Sequence, residues 1–85
     1  MNFQLVQGGY NTADAIELLS KMMEVKINFH EGKISETTAE EDIKFRENKI
    51  KKLQNDLAEL KKLLSSPNTR MVNINAEIEV EILNH

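Results

Sequence analysis

The sequence contains no cysteine and no tryptophan, a single proline and only three glycines. Without cysteine there are no disulfides and no thiolate metal ligands. Aromatics are limited to three Phe and one Tyr, too few to alternate with basic residues as in a single-strand nucleic-acid binder. Histidine occurs at His30 and His85 only, with no second ligand at metal-binding spacing, so no metal and no cofactor is expected. His30 is expected near the end of a helix, where it favours the dipole. No apolar run approaches membrane-spanning length. The first nine residues lack the charged and apolar regions of a signal peptide. A soluble cytoplasmic protein without a membrane partner is expected.

What is present is short and finely mixed. At 85 residues and 40% apolar content, the chain is expected to form one domain, 1–85, with a lean core. Small chains offset a lean core with disulfides, metals or oligomerisation, and only the last remains open. Net charge is −3 from 11 basic and 14 acidic residues, interleaved along most of the chain. That balance does not suit a general nucleic-acid binder.

The segment 43–64 carries a heptad seam. Ile43, Ile50, Leu57 and Leu64 fall at one core position, and Arg46, Leu53 and Leu60 at the other. A helix over 38–64 follows, stopped by Ser65-Ser66-Pro67 because proline moves the preceding residue out of the helical region. Thr37 with Glu40, or Thr38 with Glu41, forms a capping box at its start. A second helix is expected over 12–31, capped by Asn11 or Thr12 with Asp14 in its first turn. Gly32 is expected to end it in the left-handed region, which would make Gly32→Val costly. The short connection makes the helices antiparallel neighbours.

The first helix carries two adjacent apolar lines. One is Ala15, Leu18, Met22, Val25 and Phe29; the other is Ile16, Leu19, Met23 and Ile27. A hairpin needs one line, which leaves a second contact for another copy. Glu at Met23 or Ile27 is expected to break that contact. A short strand is expected over 3–7, with Phe3 and Leu5 on one side, ended by Gly8-Gly9. A long strand is expected over 71–82. Val72, Ile74, Ala76, Ile78, Val80 and Ile82 alternate with Asn73, Asn75, Glu77, Glu79 and Glu81. The first strand is too short to cover it, and an uncovered edge invites pairing with an identical chain. A dyad at Ala76 sets Val72 against Val80 and Ile74 against Ile78, and avoids the like-charge pairs that a dyad at Glu77 or Glu79 creates.

The expected fold class is therefore α+β: an antiparallel two-helix hairpin flanked by a short N-terminal strand and a long C-terminal strand. It assembles as a dimer with a helical bundle and a small antiparallel sheet. Self-association is assigned to Ile16, Leu19, Met23, Ile27, Leu53, Leu57, Leu60, Ile74, Ala76 and Ile78.

Other clusters read as ordinary surface. Lys44, Arg46, Lys49, Lys51 and Lys52 form a solvated basic face, with acid-first pairs Glu40–Lys44, Asp42–Arg46 and Glu47–Lys51. With Phe45 beside it, Arg46 is expected to snorkel past the end of the seam. Glu77, Glu79 and Glu81 sit ~7 Å apart along a strand, too far to share one ion. Gly8-Gly9-Tyr10 lacks phosphate-loop spacing. No nucleophile–base pair or paired carboxylate supports an enzyme.

The leading expectation is a small structural or interaction protein, an adaptor or scaffold whose partner is itself, with room for an unidentified protein client. The alternative is a DNA-binding or regulatory protein of a small mobile-element type. A strand followed by two helices superficially resembles the ribbon-helix-helix layout. That layout implies polar or basic outward strand residues. Here these are Asn2 and Gln4, no Lys or Arg precedes Lys21, and the second helix is much longer. Nucleic acid is therefore not the expected partner.

Overall fold

A computed structural model describes residues 1–84 of the chain; His85 lies outside them. The fold is α+β, in the order β1 (Asn2–Asn11), α1 (Thr12–Ser35), α2 (Glu40–Leu64) and β2 (Met71–Glu79). β1 and β2 form one two-stranded antiparallel sheet, and α1 and α2 pack as a hairpin.

β1 runs four residues past the expected end at Gln7. Gly8 and Gly9 stay in the strand because β2 supplies partners for both, Ile74 and Asn73. Gly8 has φ 145°, a conformation that suits glycine. Directly opposite residues share a face, so the missing side chain of Gly8 leaves room beside the buried Ile74. The register shifts between Gln4 and Val6. Leu5 is the extra residue of a β-bulge and is left half exposed. The bulge reverses the alternation. Phe3, not Leu5, therefore joins Val6, Gly8 and Tyr10 opposite Ile78, Ala76, Ile74 and Val72.

β2 ends at Glu79 rather than at 82. The last rung pairs Val80 with Met1: the Val80 N–H donates to the Met1 carbonyl at 2.8 Å, and the Met1 ammonium donates to the Val80 carbonyl at 2.9 Å.

Asn11 caps α1 as expected, its side chain accepting from the Asp14 N–H at 2.8 Å. The far end departs from expectation. Gly32 lies inside the helix and has no positive φ. The helix closes at Ser35 by tight i→i−3 bonds, Glu36 N–H to Lys33 and Thr37 N–H to Ile34. Such bonds satisfy terminal carbonyls without a left-handed residue. α2 starts at Glu40, and neither expected capping box forms. Thr37 Oγ1 instead accepts from the Ala39 N–H at 3.2 Å. Three acids, Glu40, Glu41 and Asp42, occupy the first turn, where the dipole favours them.

Sheet and hairpin meet through a small cluster: Val6, Ala15, Leu64 and Ile74 are buried, with Ile16, Leu18, Leu19, Met22 and Leu60 packed partly against them. The result is a slab of 47 × 30 × 13 Å with a radius of gyration of 15.9 Å, against about 12 Å for a compact chain of this length.

The position of Gly32 generates a prediction. It is an exposed helical residue, and a Cβ added there meets nothing within 4 Å. Gly32→Ala should stabilise the protein by about 0.5–1 kcal/mol, read as a higher denaturation midpoint in urea. A loss of stability would place the end of the first helix at Gly32 after all.

Candidate functional site

The ten residues assigned to self-association are buried or half-buried in the protomer. Ile16, Leu19, Met23 and Ile27 on α1, and Leu53, Leu57 and Leu60 on α2, are all half-buried. They form the two inner lines of the hairpin. Ile74 is buried at 8% exposure, and Ala76 and Ile78 are half-buried beside it. The line left over on α1 is therefore the other one. Its N-terminal part, Ala15, Leu18 and Met22, meets the sheet. Its C-terminal part continues into open surface, with Val25 70% and Phe29 56% exposed.

Phe45 on α2 is also exposed, at 57%. In an antiparallel hairpin, equal rotations from the two inner lines reach the same side of the pair. By the 3.6-residue period, Phe29 and Phe45 are rotated from their inner lines in the same sense, which puts both on one face. Cations cover both rings. Lys33 Nζ lies 5.7 Å and Arg46 Cζ 5.9 Å from the Phe29 centroid, and Lys49 Nζ lies 5.3 Å from that of Phe45. Both lines of α1 are similarly apolar in sequence, and the structure leaves Val25 and Phe29 of one line exposed.

The seam also holds a polar pair that the sequence reading missed. Arg46 does not snorkel outward; it reaches across to His30, with Nη1 3.1 Å from His30 Nδ1. A guanidinium only donates, so Nδ1 accepts and the proton of the neutral ring sits on Nε2. His30 is buried at 8% exposure, so it is a seam residue rather than a dipole partner. Burial first, then the charges of Arg46, Lys26 and Lys49, push its pKa below the ordinary value. Asp42 is the nearest counter-charge, its Oδ1 3.6 Å from Arg46 Nε. The signal was available: His30 falls three residues after Ile27 on the inner line, opposite the polar seam position Arg46.

The remaining basic residues, Lys44, Lys49, Lys51 and Lys52, are exposed on the outer side of α2. Lys52 pairs with Asp56 at 3.0 Å. Of the three expected acid-first pairs only Asp42–Arg46 forms. Glu40–Lys44 and Glu47–Lys51 do not, as exposed pairs gain little against side-chain entropy.

A shallow depression is lined by Tyr10, Asp14, Glu17, Leu18 and Lys21. The hydrogen bond and charge of Lys21, 2.9 Å away, hold the Glu17 carboxyl below its usual range. That keeps it ionised near neutral pH and gives it no general-acid character. Among the described residues, no three metal-ligating side chains group together, and no helix is long and apolar enough to cross a membrane. Comparison with family models, curated proteins and solved structures finds no match to the chain.

The buried His30 makes stability depend on pH. Its folded pKa is lowered from 6.5, so the unfolded chain takes up the proton first. Stability therefore falls as pH drops below about 6.5. Urea midpoints measured from pH 7.5 to 5.5 should show this slope, and His30→Gln, which can still accept from Arg46, should flatten it. A slope unchanged in His30→Gln would assign the titration elsewhere.

Proposed function

We propose that this chain is a small interaction protein whose working form is a self-associated assembly, acting as a scaffold or adaptor. One observation carries the reading: the protomer is a flat slab that leaves much of its surface exposed. It has accessible surface of 6862 Å² for 9.8 kDa, against about 5,200 Å² for a compact monomer of that mass. The excess, roughly 1,700 Å², is about twice what one partner contributes to a standard interface of ~800 Å² a side. Its apolar part includes Val25, Phe29 and Phe45 on the hairpin, Met71 at one end of β2, and Val80, Ile82 and Leu83 beyond the other.

Light scattering across a dilution series tests the reading. At micromolar concentration the molar mass should be at least twice that of one chain and should fall on dilution. A folded wild type with the mass of one chain throughout would overturn it. Two substitutions sort the helical surface. Ile27→Glu places a charge in the hairpin seam and should unfold the protomer. Val25→Glu should leave the circular dichroism unchanged and lower the associated mass if the hairpin face takes part.

A further inference from the structure

We infer that the outer edge of β2 pairs antiparallel with the same edge of a second copy about a two-fold axis at Ala76, making a four-stranded sheet in the order β1-β2-β2-β1. The inference rests on the self-association reading and names the surface that performs it.

The first support is the direction of the backbone. Val80 exchanges both bonds with Met1, and the Arg70 carbonyl accepts from the Thr12 N–H. Even-numbered residues of β2 thus turn their N–H and C=O groups toward β1. By the alternation of an antiparallel ladder, Met71, Asn73, Asn75, Glu77 and Glu79 turn theirs outward. A two-stranded ribbon is marginal alone, whereas a wider sheet with one apolar face is stable.

The second support is the contrast between the two outer edges. β1 is interrupted by the bulge at Leu5 and by Gly8 at φ 145°. Bulges blunt an edge against pairing. β2 has no register break along its run of nine residues, and it holds no proline or lysine.

The third support is the register. An axis at Ala76 makes Asn75–Glu77 and Asn73–Glu79 the hydrogen-bonded rungs, both built from residues whose backbone groups point outward. Ala76 then faces its own copy in a non-hydrogen-bonded rung, where the Cα atoms come closest, ~4.5 Å. A small side chain suits that position. On the apolar face, Ile74 meets Ile78 and Val72 meets Val80. Val80 is 49% exposed in the protomer, and this register gives it an apolar neighbour. An axis one residue earlier, at Asn75, sets Val80 against Arg70 instead. An axis at Glu77 sets two carboxylates face to face. The acidic residues thus select a register rather than forbid pairing.

The geometry also explains the exposed tail. Continued past Val80, the strand runs beside the 69–71 segment of the second copy, with Leu83, 69% exposed, on the same face as Met71, 64% exposed. The two-fold axis is normal to the sheet, so both hairpins lie on one face. The assembly then sets two hairpins side by side on one continuous sheet.

Single-cysteine variants test this, since the chain has no other thiol. Under mild oxidation Ala76→Cys should form a disulfide dimer at least several-fold faster than Asn75→Cys or Glu79→Cys, because only position 76 faces its own copy within disulfide range, ~4.4–6.8 Å between Cα atoms. Asn75→Pro removes an outward N–H and none of the bonds to β1. It should keep the circular dichroism of the wild type and drop the mass to one chain. Fastest crosslinking at Asn75 or Glu79, or none at any of the three, would overturn the register. A folded Asn75→Pro that keeps its full mass would overturn the β2 edge and leave self-association standing. A monomeric wild type would overturn both. If Asn75→Pro unfolds, the thiol pattern decides.

Discussion

The antiparallel pairing of β1 with β2 is the constraint on which the rest of this protein depends. It joins the first residues of the chain to residues 71–80, and a contact so distant in sequence carries a large loop-closure cost. The helical hairpin lowers that cost. Once α1 and α2 are antiparallel, Thr12 and Leu64 stand at the same end, and only the short 65–70 connection separates the two strands. The hairpin in turn relies on the sheet. Ala15 and Leu64 are buried only because Val6 and Ile74 lie over them. Neither half has a core of its own, which explains why four apolar residues account for the buried interior.

The features legible in the sequence were those set by local chemistry. The unbroken alternation from Val72, the heptad line from Ile43 to Leu64, the stop at Pro67 and the Asn11 cap all appear where short-range rules place them. The features missed were those set by a partner element. Gly8 and Gly9 end a strand by their own propensity, yet they continue it because β2 is alongside. The bulge at Leu5 follows from bringing Phe3 and Val6 to one face, a demand invisible without the register. β2 ends at Glu79, where its pairing with β1 ends, although the alternation itself continues to Ile82. Gly32 stays helical because one glycine costs only about 1 kcal/mol, less than the helical turns on either side of it return.

The candidate surface shows the same division. Patterning correctly found more apolar width on α1 than a hairpin uses. It could not choose which line faces α2, since rotation of one helix against the other is fixed by packing. The seam made that choice: Ile16, Leu19, Met23 and Ile27 turn inward with His30, and Val25 and Phe29 remain outside. A polar pair at an otherwise apolar seam fixes alignment along the helices, because a slip would strand both Arg46 and His30 among aliphatic neighbours.

The scarcity of aromatics leaves an optical consequence. Tyr10 is the single tyrosine, and the chain has no tryptophan. It sits opposite Val72, half-buried against the cluster that joins sheet to helices. Nearly all the near-ultraviolet absorbance, and all the tyrosine emission, therefore originates at that one junction. Fluorescence will follow the docking of the sheet onto the hairpin. It will be nearly blind to events at the opposite end, where His30 and Arg46 meet.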